Sequence, residues 1–431
     1  MLANLQIGAV TVLLSPRYPA ATFSEMTLTA GCSHQVVFSG ESRRSTLGKA
    51  AKIPLPSVAE ILSEVDAGTA GLATDHEGSL AADQPATIVF TSGSSGPPKA
   101  VLHSYGNHYY SALGSNQNLP VEPGDRWLLS LPLYHVGGLG VIFRCCLGGG
   151  TIVFQDDQSA LTEQIARERI THLSLVPTQF RRLLVDPDLV KMRSSLKVIL
   201  LGGGPIPTAL LKRAVGAGLP VVSSYGLTEM TSQVATGSLD LPDRPHVLHF
   251  REVRIADDGE ICVRGDTLFS GYVEGAVVRR SCDSDGWFHT GDIGAIDAAG
   301  CLSVSGRKDN MFISGGENIH PEQIEKTLCS IEGIEDALVV PVHDPEYGYR
   351  PVAFVRYRPD INLSEAQSDL PEEARFAFDH QSLSSELART LPRYMLPLAY
   401  HPWPQGYKQT GIKSDRAFFM RLAEKLHPIR R

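Results

Sequence analysis

Apolar runs and their punctuation divide the chain into two regimes. From Gly8 to Ser224, short runs of Val, Ile, Leu and Phe alternate with stretches whose apolar residues recur every three or four positions. The short runs predict strands at Gly8–Leu14, Ala86–Thr91, Trp127–Leu131, Thr151–Phe154, His172–Val176, Lys197–Leu201 and Val221–Ser224. The periodic stretches predict helices over Asn107–Asn116 and Leu161–Glu168. Alternating strands and helices predict parallel sheets, which take ligands at the carboxyl ends of their strands. From about Val247 the pattern changes. Strands at Val253–Ile255, Glu260–Arg264 and Cys301–Ser305 are broken by Asp258-Gly259, Asp285-Gly286 and Ala299-Gly300 turns, predicting a small β-rich subdomain. Beyond Arg307, Pro321 opens a helix that runs to Leu328. Strands at Ala337–Val342 and Val352–Arg358 and a helix near Leu383–Leu391 follow, and residues 359–375 read as a loop or short insertion. The expected fold class is α/β. A large N-terminal domain (1–308) has parallel-rich sheets, helices and the β-rich subdomain, and a small α+β C-terminal domain (309–431) follows.

Composition narrows the function classes. At 431 residues the chain exceeds what one core holds, so at least two domains are expected. The net charge of -8 and the lack of any Lys/Arg run argue against a nucleic-acid partner. Seven scattered cysteines without a CxxC pair argue against a disulfide framework or zinc site and for reduced thiols in the cytoplasm. The first 15 residues are apolar, but no Lys or Arg precedes Arg17, so they read as a helix end and a buried strand rather than a leader. No later stretch is long and apolar enough to span a bilayer.

Five local patterns carry candidate chemistry. In Thr91-Ser92-Gly93-Ser94-Ser95-Gly96-Pro97-Pro98-Lys99, small hydroxyl residues and glycines let backbone N–H groups approach a polyphosphate, and Lys99 adds charge. The Walker A spacing is absent, and a flexible Ser/Gly turn is the alternative. Ser224-Tyr225-Gly226-Leu227-Thr228-Glu229 can place a hydroxyl near a phosphate, a carboxylate near Mg²⁺ and a ring face near a purine. A tight turn with an N-capping Thr explains it equally. Gly291-Asp292 puts a carboxylate where a ribose could bind, or where a cap or hairpin turn needs one. Gly306-Arg307-Lys308-Asp309 puts an arginine suited to phosphate or ribose at the predicted domain joint, ahead of Ser314-Gly315-Gly316-Glu317-Asn318-Ile319. Gly411-Ile412-Lys413 by itself is an ordinary solvated lysine near a C-terminus.

These five patterns, in this order, resemble the adenylate-forming superfamily of acyl-CoA synthetases, luciferases and peptide-synthetase adenylation domains. The likeness runs from Gly8 to about Arg416. Within it the chain is most similar to the o-succinylbenzoate–CoA ligases of menaquinone and phylloquinone synthesis. That likeness rests on Trp127 to Gly140 (WLLSLPLYHVGGLG), Phe143-Arg144, Ser174 to Gln179, Leu200 to Gly204, Tyr225 to Met230, Ser314 to Ile319 and Gly411-Ile412-Lys413.

The resemblance implies ATP, Mg²⁺, CoA and a small carboxylic acid as ligands and cofactors, and it allows a homodimer. Thr91 to Gly96 with Lys99 would hold the β- and γ-phosphates, and Gly203, Gly204, Tyr225 and Gly226 the adenine. Thr228 would meet the α-phosphate, Glu229 hold Mg²⁺, and Asp292 and Arg307 take the ribose. Lys413 would bridge the acid and the α-phosphate. The C-terminal domain would then swing about Asp309 and bring Ser314, Gly315 and Gly316 to the CoA tunnel. His135 would shape the acyl pocket, with a satisfied core histidine as the alternative. Arg144 would pair with the unactivated aromatic carboxylate of o-succinylbenzoate, and a surface or structural arginine is the alternative. The chain opens where the interior of a usual family member would lie, which leads us to expect an incomplete large-domain core with exposed apolar surface. Residues Leu239 to Phe250 also depart from the family pattern. A CoA ligase for another aromatic or fatty acid, a stand-alone adenylation domain and an inactive remnant are the competing readings.

Overall fold

The computed structural model describes residues 4, 9–16, 20–32, 34–38, 51–55, 80–91, 98–156, 159–186, 188, 193–275, 277–357, 382–407 and 415–427. Its architecture is mixed α/β. The centre is a seven-stranded sheet in the order His246–Val247, Ser232–Thr236, Val221–Leu227, Val198–Leu201, His172–Leu175, Arg126–Leu129, Thr151–Phe154. Its last five strands run parallel and the first two pair antiparallel. The four residues of Val198–Leu201 are all buried, as a strand covered on both faces requires. Ile199 and Leu201 face one side, against Phe180, Leu210 and Leu211 from the helices Pro177–Leu184 and Thr208–Gly216. Val198 and Leu200 face the other, against Trp127, Val141 and Cys145.

A second, five-stranded sheet differs from the parallel expectation. Its order is Thr11–Leu13, Pro85–Phe90, Ala100–Ser104, Gly271–Glu274, Val277–Arg279, and only the first pair is parallel. The chain leaving Phe90 therefore returns as an antiparallel hairpin, through a strand the sequence reading missed because His103 and Ser104 interrupt its apolar run. Ser104 then caps the helix Tyr105–Asn118 in a capping box with Asn107. The first predicted strand shrinks to Thr11–Leu13 and is half-buried rather than buried. Leu28, Val277 and Val278 are exposed apolar side chains.

The β-rich region is a four-stranded antiparallel sheet, Glu252–Ile255, Glu260–Arg264, Phe288–Ile296, Leu302–Arg307. The strands after Arg307 form their own sheet and share none with those before it. That sheet is covered on both sides. Ala337 and Val339 pack toward the helix Pro321–Leu328, and Leu338, Val340 and Val342 pack toward Phe419 and Ala423 of the helix Arg416–Leu426. Among the described residues no helix is long and apolar enough to cross a membrane.

Candidate active site

The strand Val221–Leu227 leads into a three-residue turn, Thr228–Met230, at the carboxyl edge of the central sheet. Gly226 is required there, because a Cβ at that position would lie 1.9 Å from the Ser232 carbonyl oxygen. Thr231 and Ser232, at φ 56 and 119, close the turn in the left-handed region that ordinary residues avoid. Several hydrogen bonds hold this backbone. His103 Nε2 lies 2.8 Å from the Thr228 carbonyl, Phe269 N–H donates to Glu229 O at 2.8 Å, and Ser111 Oγ donates to Thr231 O at 2.9 Å.

Glu229 faces the hairpin. Its Oε1 accepts from the Tyr272 hydroxyl at 2.8 Å, and Lys99 Nζ lies 4.9 Å from the centre of the Tyr272 ring. Burial, with the Glu229 carboxylate beside it, raises the Tyr272 phenol pKa above its ordinary value. Thr91 and Lys99 close the neck of the loop: Thr91 N–H donates to Lys99 O at 3.0 Å and Lys99 N–H to Thr91 Oγ1 at 3.2 Å. Ser92, Gly93, Ser94, Ser95 and Gly96 lie outside the described residues. On the neighbouring strand end, Gly203 takes φ +80 and Gly204 faces open space.

Asp292 was expected in a turn. It sits instead within the strand Phe288–Ile296, opposite Arg307 in register. The turn-like signal came from Gly291, which takes φ +71 in mid-strand and leaves room for the Arg307 guanidinium. Asp292 Oδ2 accepts from the Tyr225 hydroxyl at 2.6 Å, and Oδ1 from Arg307 Nη1 at 3.0 Å. Burial and then the Asp292 charge push the Tyr225 phenol pKa well above its ordinary value, so the phenol stays a donor. Arg307 also donates to Asp309 Oδ2 at 3.3 Å. Sequence reasoning missed the support behind this group. Glu260 Oε1 accepts from Gly291 N at 2.8 Å, and Lys308 bridges Glu260 and Asp258 at 3.1 and 2.6 Å.

Arg144 is not a surface residue, and it has no ion-pair partner among the described residues. It is 1% exposed, on the helix Val136–Gly148, against the Trp127 ring. Its Nη2 donates to Ser232 Oγ at 3.2 Å, while Nε and Nη1 have no partner among the described residues. Burial lowers its pKa to about 10, which leaves it charged at neutral pH. Nearby Arg251, on main-chain and hydroxyl acceptors of Gln233, His249 and Ser111, is likewise lowered to about 9 by burial and by Arg144. A buried cation with free donors is costly until an anion meets it. His135 precedes the same helix as its N-cap, with its ring 4.7 Å from that of Tyr134.

Six of the predicted residues thus fall in three groups, two of them completed by unpredicted partners: Lys99 and Glu229 with Tyr272, Tyr225–Asp292–Arg307, and Arg144 with Ser232. Ser314, Gly315 and Gly316 do not join them. They form a hairpin whose hydrogen bonds run to Tyr347 and Gly348. Lys413 lies outside the described residues. Tyr272 and Ser232 had no local signal, since each acts through a partner distant in sequence.

The pattern of the AMP-binding enzyme family matches residues 1–273. The 2-succinylbenzoate–CoA ligase of Bacillus licheniformis is 36% identical over 339 residues, covering 75% of this chain and 67% of the relative. That of Escherichia coli is 33% identical over 418 residues, covering 96% and 82%. Against the Bacillus pumilus ligase the match spans 59% of the relative. Among solved structures, the Bacillus subtilis o-succinylbenzoate CoA synthetase with the acyl-adenylate intermediate superposes at TM-score 0.76 and 28% identity, covering 97% of this chain and 84% of that one. The same enzyme with ATP and magnesium ion gives 0.76 and 28%, covering 96% and 85%.

Proposed function

The chain belongs to the AMP-binding enzyme family, and from that premise we propose that it is an AMP-forming acid–CoA ligase. It activates o-succinylbenzoate with ATP and passes the acyl group to CoA, a step of menaquinone or phylloquinone synthesis. Arg144 carries the choice of acid. o-Succinylbenzoate keeps one carboxylate that does not react, and burying that group needs a cation with open donors. Arg144 Nε and Nη1 are such donors, one hydrogen bond away from Ser232 and the Thr228 turn.

On this reading Thr91 to Gly96 and Lys99 hold the β- and γ-phosphates, and Gly203, Gly204, Tyr225 and Gly226 border the adenine. Thr228 meets the α-phosphate, and Asp292 and Arg307 take the ribose hydroxyls. The Tyr225–Asp292–Arg307 hydrogen bonds support this by fixing the carboxylate beside the base site. Among the described residues no three His, Cys, Asp or Glu side chains converge as a metal cage. A single carboxylate such as Glu229 would suit Mg²⁺, which prefers one or two carboxylates with phosphates and water. When bound, Mg²⁺ supplies charge neutralisation on the phosphates.

In the first half-reaction a succinyl carboxylate oxygen attacks the α-phosphorus. A P–O bond forms as the bond to pyrophosphate breaks, and the Lys413 ammonium offsets the charge that builds. In the second, the CoA sulfur attacks the acyl carbon, the C–O bond to AMP breaks, and the thiol proton passes to solvent. His135 borders the acyl group in both. The change between halves is a rotation of residues 309–431 against 1–308 about Asp309, which withdraws Lys413 and brings Ser314, Gly315 and Gly316 to the pantetheine. The free thiols suit a reducing cytoplasm, and a homodimer is the assembly expected.

The test is pyrophosphate release by the purified chain with MgATP and o-succinylbenzoate, against benzoate and a fatty acid, with and without CoA. Selective release with o-succinylbenzoate and formation of its CoA thioester is the expected result. Faster release with benzoate or the fatty acid would overturn the choice of acid, and no release with any acid would overturn the activity.

A further inference from the structure

Two buried imidazoles stand outside the chemistry above. His103, on the strand Ala100–Ser104, is 0% exposed, and His108, one turn into the next helix, is 1% exposed. Their ring centroids are 5.3 Å apart. His108 is accounted for, since its Nε2 lies 2.8 Å from Thr87 Oγ1 and its ring stacks on Phe143 at 4.3 Å. His103 is not. Its Nε2 lies 2.8 Å from the Thr228 carbonyl, while Nδ1 is buried without a partner among the described residues.

The proton can be assigned. A peptide carbonyl only accepts, so Nε2 must carry the hydrogen. Burial then lowers the pKa to about 4, and the ring stays neutral with an unmade acceptor at Nδ1. A leucine there would carry no such orphan. The histidine is thus kept at a cost, and what it gains is the bond to Thr228.

That bond joins two sheets at the phosphate side. Lys99 stands directly before the strand of His103, and Tyr272, which bonds Glu229, stands opposite Val101 on the neighbouring strand. Thr228 and Glu229 extend from the central sheet. Among the described residues the Thr228 carbonyl has one other partner, Thr231 N–H at 3.0 Å within its own turn, and Phe269 N–H holds the next carbonyl. We propose that His103 is a positioning residue for nucleotide activation: its Nε2–H sets the Thr228–Glu229 turn against the Lys99 hairpin, so that both hold the phosphates of one ATP. This rests on the reading of Thr228 and Glu229 as the phosphate side.

The experiment compares the native chain with His103→Leu and His103→Gln. The glutamine amide can still donate toward the carbonyl and the leucine cannot. KM for MgATP, KM for o-succinylbenzoate and kcat of pyrophosphate release are measured, with the MgATP dissociation constant from calorimetry and a thermal melt. His103→Leu should melt no lower than the native chain, because the orphan acceptor is gone. Its KM and dissociation constant for MgATP should rise about tenfold, the loss of one hydrogen bond at a binding turn. KM for the acid should stay put, and His103→Gln should recover most of the loss. Unchanged MgATP binding in His103→Leu, or a His103→Gln variant as weak as His103→Leu, overturns the proposal. If His103→Leu melts early, the glutamine variant decides: native MgATP binding supports the proposal and a loss overturns it. A native chain that binds MgATP but releases no pyrophosphate sinks the ligase reading alone, and calorimetry on the variants still decides on His103. A native chain that does not bind MgATP sinks both.

Discussion

Replacing Arg144 with methionine should separate two quantities that usually move together. The guanidinium is fully buried, and burial lowers its pKa from the ordinary guanidinium value to about 10. That difference corresponds to roughly 3 kcal/mol of unfavourable burial that the folded chain carries while the charge is unpaired. Methionine keeps most of the volume against Trp127 and removes the charge. It loses one hydrogen bond to Ser232 and a cation–π contact at 5.4 Å, together about 1–2 kcal/mol. The Ser232 hydroxyl can turn to another acceptor. The ligand-free variant should therefore be as stable as the native chain or more so, by about 1 kcal/mol.

Binding should move the other way. Charge-assisted hydrogen bonds from Nε and Nη1 to a carboxylate contribute about 1.5–3 kcal/mol each. Their loss should raise KM for o-succinylbenzoate by at least about tenfold. The control is 4-oxo-4-phenylbutanoate, the same acid without its ring carboxylate, whose KM should hardly change. The assays are pyrophosphate release with each acid and urea unfolding without ligand. If both acids lose affinity equally, Arg144 shapes the pocket without reading the carboxylate. If the variant unfolds at clearly lower urea, the native Arg144 charge is already satisfied in the ligand-free protein, which refutes the unpaired cation.

Three further outcomes follow from the same geometry. Burial holds His103 at about pKa 4, and His108 and His172 are also lowered from 6.5 by burial first. The unfolded chain thus binds more protons between those limits, so stability should fall as pH drops from about 6.5 toward 4. His103 alone contributes roughly 3 kcal/mol across that window, and urea midpoints near pH 7 and pH 5 should show a shallower slope in His103→Leu. Gly226→Ala places a Cβ 1.9 Å from Ser232 O, so strand and turn must part; a loss of about 2–3 kcal/mol in unfolding free energy and of MgATP binding by calorimetry is expected. Lys413→Ala should lower adenylate formation strongly while sparing CoA transfer from synthetic acyl-adenylate, read as thioester yield; equal loss in both halves would place the lysine in a different role.

How much of this was legible in the sequence depends on whether a feature is local. The strands Thr151–Phe154 and Glu260–Arg264 and the helix Pro321–Leu328 match the bounds read from apolar runs and Pro321. Their signals lie within the elements themselves. Asp292 was expected at a turn and lies within a strand instead, because a glycine at positive φ inside a strand reads as a turn until its partner strand is known. Arg144 carried a clue in its local sequence. It is the one charged residue in its helix, VGGLGVIFRCCLG, and a lone charge in an otherwise apolar helix points to a buried cation. Glycines clear the space around that charge, for a Cβ at Gly140 would lie 3.1 Å from Arg144 Nη2. His103 is the opposite case. In sequence it interrupts an apolar strand and looks like a fault, and only the Thr228 carbonyl, 125 residues away, gives the interruption a physical reason. The same holds for Tyr225, whose hydroxyl meets Asp292 67 residues on. Motifs brought the chain to its chemistry. The residues that hold the motifs in register are ordinary core positions occupied by polar side chains, and a buried polar atom is a clue only once its partner, or lack of one, can be seen.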